Sequence, residues 1–181
     1  MKISASALLD ELKERTSQHL EYAQILTLKT EEELNFRTSA DSWSTLECLE
    51  HLNRYGNFYI PEISHNISSA GKTPQPYFKP GILGNYFAKS MLPKEKPNKM
   101  KTLKTMNPIH SQMNKGVIDS FIKQQEKLLE LLEEARHTNL EKVKTNISIS
   151  KLIKLKLGDT FRFVIYHNER HIGQIQRILN S

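Results

Sequence analysis

The sequence predicts an all-α protein, a four-helix bundle with one long crossover connection. Four segments repeat apolar residues at the three- and four-residue spacing of a helix that buries one face. A chain of 181 residues has the length of one domain and buries roughly 70% of its unfolded surface, enough for a core without metal or disulfide staples. The chain shows no self-similarity at a fixed period, which argues against a helical repeat array. We therefore expect residues 1–181 to form a single domain.

The first helix is predicted from Ser4 to about Leu28, where apolar residues recur at helical spacing and Glu and Lys fill the other face. Directly after it, Thr30 and Glu33 form a capping-box pattern that predicts one short helical turn. A second capping-box pattern, at Ser44 and Glu47, predicts where the next long helix begins.

The second long helix is predicted from residue 44 to the mid-60s. Ser44 and Glu47 form an S-x-x-E capping box ahead of the apolar run LECLEHLNRYGNFYI. This helix places both polar and aromatic side chains on its faces. It therefore contributes candidates for a functional site as well as core residues.

Residues 68–108 are predicted to be a long basic connection between the second and third long helices. Six of the seven prolines lie here, and only GILGNYFAKSML is apolar enough for a short helix. Between Lys72 and Lys104, eight lysines stand against one acid, Glu95, in a chain of net charge +6. Such a cluster can bind nucleic acid or anionic lipid, but charge runs are usually solvated loops, and this one contains no arginine for phosphate recognition. Nucleic-acid binding is therefore not expected.

The C-terminal part of the chain predicts two further helices. Residues 112–137 carry a strong amphipathic pattern and form the third helix. The β-branched segment NISISKLIKLKL alternates imperfectly, so helix and strand compete there, and we predict extended chain. Gly158 and Asp159 are then read as an N-cap for a fourth helix that runs nearly to the C-terminus.

The cellular compartment is indicated by cysteine content and by hydropathy. The single cysteine, Cys48, can form no internal disulfide, and Asp10 and Glu11 interrupt the apolar run that a signal peptide would need. No stretch approaches the length of consecutive apolar residues that a membrane-spanning helix requires. We expect a cytoplasmic protein with no membrane contact.

Two of the seven histidines have a spacing that favours metal binding. His167 and His171 are four residues apart, which on a helix places both imidazoles on one face within reach of one ion. The pair is not the H-E-x-x-H motif of metallopeptidases, because Asn168 occupies the glutamate position. The spacing also arises by chance, so metal ligation and a hydrogen-bonded core pair both stay open. The same helix face carries Thr160, Phe163, Gln174 and Ile178.

His51 is the best candidate for a third ligand, because it lies inside an apolar helix two turns after Ser44. Glu47 lies one turn before it, where its carboxylate could orient the imidazole or bind the metal directly. The residues alone favour the other interpretation, a hydrogen-bonded core histidine beside a capping glutamate. The remaining histidines have no matched partner and are expected at the surface: His19, His65, His110 and His137.

Two strings of residues resemble the DinB-like (YfiT-like) superfamily. The first, W-S-x-x-E-x-x-x-H-L, spans residues 43–52, and the second, R-F-x-x-x-H-x-x-x-H-x-x-Q, spans residues 162–174. The two motifs occur in the right order, and the resemblance covers nearly the whole chain. The basic connection stands where members of that family carry a variable insertion.

The resemblance implies a bundle with an up-down-down-up course and a divalent metal, often zinc or nickel, held by three histidines. Carried over to this sequence, the ligands are His51, His167 and His171. Members of known chemistry include thiol-dependent S-transferases, thiol-dependent isomerases and proteins described as metal-dependent hydrolases. Homodimers are common in the family, so the resemblance allows a homodimer here.

Three neutral nitrogen ligands leave a coordination position open, as in catalytic rather than structural sites. Either a thiol or a water bound there loses its proton near neutral pH. Glu47 is the candidate general base, and Arg162 could bind an anionic carboxylate of a thiol cofactor or substrate.

Because thiolate attack needs less proton transfer than hydrolysis, we predict a thiol-dependent S-transferase that joins a low-molecular-weight thiol to a small-molecule substrate. Two alternatives are a metal-dependent hydrolase and a non-catalytic binding module on the same bundle. Such a module would bind its partner through the basic connection.

Overall fold

The computed structural model describes residues 2–92 and 102–181, and within these ranges it confirms the all-α prediction. The helices in this part of the chain are α1 (Ala5–Leu26), α2 (Glu31–Asn35), α3 (Thr45–Ser68), α4 (Ile82–Met91), α5 (Gly116–Glu134) and α6 (Leu157–Leu179). The strands are short: β1 (Ile3–Ser4), β2 (Tyr77–Phe78), β3 (Lys144–Ile147) and β4 (Ser150–Lys156). Single 3-10 turns lie at Lys104–Met106 and Ala135–His137. Four of the eight lysines of the basic connection fall in 93–101, outside the described residues.

The four long helices form the bundle. Helix α1 packs against α5 and α6, and α3 packs against the same two helices, so α1 and α3 occupy opposite corners. The short helix α4 packs on the outside of α6. None of the helices in the described ranges combines the length and the apolar character needed to cross a bilayer.

The predicted capping boxes are present and begin two of the helices. At the start of α3, the Ser44 hydroxyl accepts from the Glu47 amide at 3.2 Å, and the Glu47 carboxylate accepts from the Ser44 amide at 2.8 Å. Thr30 and Glu33 make the same reciprocal pair at the start of α2. These bonds satisfy amide groups that the first turn of a helix leaves without partners.

Two apolar clusters fill the bundle with a polar layer between them. One cluster includes Leu12, Tyr59 and Ile165, and the other includes Leu49 and Ile175. Buried polar side chains lie between the stretches of α1 and α6 that supply the two clusters: Thr16, His19, His167, Asn168 and His171. His51 of α3, next to Leu52 of the second cluster, joins this layer through its contact with His167. A buried polar layer needs internal partners, because unsatisfied polar groups in a core are costly.

The start of α6 differs from the prediction. The helix begins at Leu157 with Lys156 as its N-cap residue, so the predicted cap at Gly158 and Asp159 was wrong. The first two amides of α6 are satisfied by the carbonyl groups of Val143 and Leu140 instead of by a side chain. Backbone from a distant segment therefore replaces the side-chain cap that the sequence suggested.

The segment predicted to be extended forms a β-hairpin with the residues before it. Strand β3 pairs antiparallel with β4, with Thr145 opposite Leu155 and an irregularity at Asn146 and Ile147. Leu155 is buried, whereas Leu152 near the turn is 95% exposed. A second small pairing, β1 with β2, joins the N-terminus to the basic connection.

Helix α4 is held on α6 by a buried ion pair. The Asp159 carboxylate accepts from the Gly81 amide at 2.7 Å and from Arg162 at 3.1 Å, and Arg162 also donates to the Asn85 side chain at 3.0 Å. Gly84 faces the same carboxylate so closely that a Cβ there would lie 2.5 Å from atoms of Asp159. The absence of a side chain at Gly84 is what allows the two helices to approach.

We predict that Gly84→Ala lowers the free energy of unfolding by about 1–3 kcal/mol, because the added methyl group overpacks a carboxylate fixed by hydrogen bonds. The matched control is Gly173→Ala on α6, where the nearest atom to an added Cβ is 3.8 Å away. That substitution should leave stability unchanged or raise it by up to about 1 kcal/mol through helix propensity. Urea unfolding measures both, and equal effects of the two substitutions would contradict the packing argument.

Candidate metal centre

Three histidines meet in the polar layer. His51 comes from α3, and His167 and His171 come from successive turns of α6, which packs beside α3. The Nε2 atom of His167 lies 3.1 Å from the Nε2 of His51 and 3.1 Å from the Nε2 of His171. All three side chains are buried, and their ligand atoms lie within 4.8 Å of one another. The structure thus brings together the three predicted metal ligands.

In His51 and His171, a hydrogen bond at Nδ1 decides which ring nitrogen carries the proton. The Nδ1 of His51 lies 2.7 Å from the carbonyl oxygen of Met106, and the Nδ1 of His171 lies 3.0 Å from the side-chain oxygen of Gln174. Both oxygen atoms only accept, so each Nδ1 carries the proton of a neutral imidazole. The Nε2 atoms of His51 and His171 therefore present lone pairs to the centre of the cluster.

The cluster holds neutral rings. Burial, which disfavours the charged form, lowers the pKa of His51 to about 4 and that of His171 to about 3. For His167, burial and then the neighbouring histidines lower the pKa well below its ordinary value. Metal ligation requires unprotonated nitrogen, and these rings meet that condition at pH 7.

A hydrogen-bonded core pair does not account for this arrangement. The Nε2 of His167 carries at most one proton, yet it faces the lone pairs of both His51 and His171 at equal distance. When the rings are neutral, at least one of these two lone pairs therefore has no hydrogen bond from His167. A cation bound at the centre would satisfy that lone pair, because it would accept the lone pairs of all three histidines.

Two of the three separations between the Nε2 atoms match those expected around a first-row divalent ion. With metal–nitrogen bonds of about 2.0–2.1 Å, tetrahedral ligands lie about 3.3 Å apart and neighbouring octahedral ligands about 2.9 Å apart. The two separations that involve His167, both 3.1 Å, lie between these values, and all three ligand atoms lie within 4.8 Å of one another. The donor set therefore accommodates either zinc or nickel and does not discriminate between them.

Aromatic rings surround the histidines. Trp43 stacks on His171 with the ring centroids 5.6 Å apart and also contacts His51 at 4.7 Å. Tyr55 meets the edge of His167 at 4.7 Å, and Phe163 stacks on the same ring at 5.9 Å. These contacts pack the three buried imidazole rings among aromatic side chains.

Glu47, the predicted general base, is fully buried at the start of α3. Each of its carboxylate oxygens accepts one bond from Arg37 and one from a backbone amide, those of Ser44 and Ser111, at 2.8–3.1 Å. Burial alone would raise the pKa of Glu47, but Arg37 and these amides outweigh it and hold the pKa below its ordinary value. The partner of His51 that sequence reasoning sought in Glu47 is instead the carbonyl group of Met106.

Arg162, the predicted anion-binding residue, points to α4. Its guanidinium bonds to Asp159 and Asn85 and lies 5.9 Å from the ring of Tyr166. The side chain is 9% exposed, so its charge is already paired inside the protein. Its recognition of a substrate carboxylate stays a prediction.

The remaining histidines divide into buried and exposed residues. His65, His110 and His137 are exposed, as expected. His19 is buried, so the expectation that it lies at the surface was wrong. Its apolar neighbours on α1, at the three- and four-residue spacing of the buried face, were the signal that could have placed it inside.

A cavity of about 580 Å³ lies away from the histidines, between the start of α1, residues 74–77 and the turn after α5. Its lining includes one charged residue, Arg136, which is ion-paired to Asp10 and Glu133. The charge of Arg136 is therefore already paired, and the candidate chemistry lies in the histidine cluster and not in this cavity.

The helical bundle and its buried cluster of three histidines define a class of protein that has the side chains to hold a divalent metal. The family model of the DinB superfamily matches residues 8–175, and the chain belongs to that superfamily. The family predicted from the two motifs is therefore confirmed. A search of the curated proteins and one of the solved structures found no match.

We predict that the metal-free protein loses stability as the pH falls from about 6.5 towards 4. Below the pKa of an unfolded histidine, the unfolded chain binds protons that the folded cluster does not, at a cost of up to about 1.4 kcal/mol per pH unit for each histidine. The loss follows from the lowered pKa values of His51 and His171, and His19, with a pKa of about 3, adds to it.

The His51→Gln variant isolates one histidine of the cluster, because His19 titrates equally in both proteins. Urea unfolding of chelator-treated protein at pH 7, 6 and 5 should show a shallower loss of stability in the variant. Parallel pH dependence in wild type and variant would contradict the burial of a neutral His51.

Proposed function

We propose that this member of the DinB superfamily is a metal-dependent enzyme, with His51, His167 and His171 as ligands of one zinc or nickel ion. The observation that carries the proposal is the convergence of three buried, neutral Nε2 atoms from two helices. Three protein ligands leave at least one coordination position for a substrate or co-substrate. A divalent ion held there lowers the pKa of a bound thiol or water and so supplies a nucleophile near pH 7.

The reaction that we propose is the transfer of a low-molecular-weight thiol to an electrophilic small molecule. Hydrolysis is helped by a general base that accepts a proton from water. The carboxylate of Glu47 already accepts four hydrogen bonds among the described residues and has a lowered pKa, which disfavours that role. A thiol, which is more acidic than water, needs less proton transfer to become a nucleophile.

The thiol is proposed to come from a small molecule because the chain offers no reactive thiolate. Cys48 is the single cysteine of the sequence and is fully buried, and burial raises the pKa of its thiol. Buried cysteines with a raised pKa are poor nucleophiles.

The homodimer and the cytoplasmic location stay predictions.

The proposal is tested by a thiol-transfer assay on the chelator-treated protein before and after addition of zinc or nickel. Glutathione or cysteine is the thiol, monochlorobimane is the electrophile, and a nitrophenyl ester reports hydrolysis. We expect the rate of thiol conjugation to fall by at least about 100-fold when the metal is removed, because the thiol then loses the ion that lowers its pKa.

His167→Ala should abolish the metal-dependent rate, whereas the control His65→Gln, an exposed histidine on α3, should retain it. Metal-dependent ester hydrolysis without thiol conjugation would replace the transferase with a hydrolase. A metal-loaded protein that is inactive in both assays would favour a binding module.

A further inference from the structure

The backbone partner of His51 comes from a short exposed turn. Met106 ends the 3-10 turn Lys104–Met106, in which no residue is buried. Two local backbone bonds close the turn, from Met106 to Leu103 at 2.9 Å and from Asn107 to Lys104 at 3.3 Å. A single turn of this kind is a weak structure by itself, yet its carbonyl oxygen lies 2.7 Å from the Nδ1 of a buried histidine.

Arg54 holds this turn against α3. Its Nη1 atom donates to the carbonyl oxygens of Thr105 at 3.2 Å and Asn107 at 3.3 Å, the residues on either side of Met106. Arg54 follows His51 by three residues, a spacing that places both side chains on one side of the helix. The two bonds therefore bracket the carbonyl group that faces His51.

A second contact reaches the same turn from the metal cluster. The indole Nε1 of Trp43 donates to the Asn107 side chain at 3.1 Å, while the ring of Trp43 contacts both His51 and His171. The turn is thus tied to α3 by Arg54, to the cluster by His51 and to the segment before α3 by Trp43.

We propose that Arg54 is a positioning residue for the metal centre. By fixing the carbonyl group of Met106, it keeps the proton of His51 on Nδ1 and leaves the Nε2 lone pair directed at His167 and His171. The inference rests on the proposed metal site, in which that lone pair is one of the three ligands.

The tautomers of imidazole predict that loss of Arg54 weakens metal binding. The nitrogen that carries the proton is set by the hydrogen bond that the other nitrogen makes. A free neutral histidine favours the proton on Nε2, so loss of the Met106 contact would place hydrogen where the ligand lone pair is needed. Groups that orient metal-binding histidines in this way typically change metal affinity by about 10- to 100-fold.

The test compares Arg54→Gln with a matched control in the full-length protein. Arg54 also donates to Glu50 at 2.8 Å, and Glu50→Gln removes that ion pair while leaving both carbonyl bonds possible. Zinc affinity is measured by competition with a chromophoric chelator. We expect a decrease of about 10- to 100-fold for Arg54→Gln and of less than about threefold for Glu50→Gln, because the Arg54–Glu50 ion pair is partly open to solvent and such pairs contribute little.

A spectroscopic measurement reads the proposed cause directly. In the metal-free protein, the nitrogen-15 resonances of His51 should show the proton on Nδ1 in the wild type and in Glu50→Gln. In Arg54→Gln they should show a shift towards the Nε2-protonated form. Circular dichroism confirms that each variant keeps its helical content.

Unchanged zinc affinity in Arg54→Gln, or a His51 that keeps its proton on Nδ1 in that variant, would overturn the positioning role. An equal loss of affinity in Glu50→Gln would assign the effect to the ion pair instead and would overturn it as well. If the wild type binds no zinc, the proposed metal site is refuted. If the wild type and Arg54→Gln bind zinc equally tightly, the metal site stands and only the positioning role of Arg54 is refuted.

Discussion

The site is governed by the convergence of three imidazole lone pairs in a buried space. Protonation of the rings is opposed by burial, and their mutual hydrogen bonding is limited because one nitrogen, the Nε2 of His167, faces two lone pairs. A divalent cation bound there would need neutral rings and would satisfy the lone pairs that hydrogen bonds leave without a donor. The metal would therefore stabilise the fold as well as supply chemistry, since its binding free energy adds to that of folding.

The bundle places this cluster by simple means. Adjacent packing of α3 and α6 brings His51 opposite two successive turns of α6, and apolar clusters on either side leave the polar layer in between. The capping box of α3 has a second role, because Glu47 also binds Arg37 and Ser111 and so ties the connection after the 3-10 turn to the helix that carries His51. The irregular chain thereby contributes to the support of the ligands along with the helices.

Much of this arrangement follows from local sequence. The capping boxes, the apolar periodicity and the four-residue spacing of His167 and His171 are local signals, and each acts within one or two helical turns. Two of the features that were missed depend on distant backbone, whereas the burial of His19 follows the local apolar pattern of α1. The first amides of α6 are satisfied by the carbonyl groups of Leu140 and Val143, and the partner of His51 is the carbonyl group of Met106, 55 residues later. A backbone carbonyl has no side-chain signature, so no residue pattern could have indicated it.

The central claim is that the three imidazoles share one ion, and X-ray absorption at the metal edge of the zinc-loaded, desalted protein tests it most directly. We expect one zinc per chain with three imidazole nitrogens at about 2.0–2.1 Å and a further light-atom ligand. A protein that retains no zinc after desalting, or a zinc shell made of oxygen without imidazole scattering, would contradict the claim.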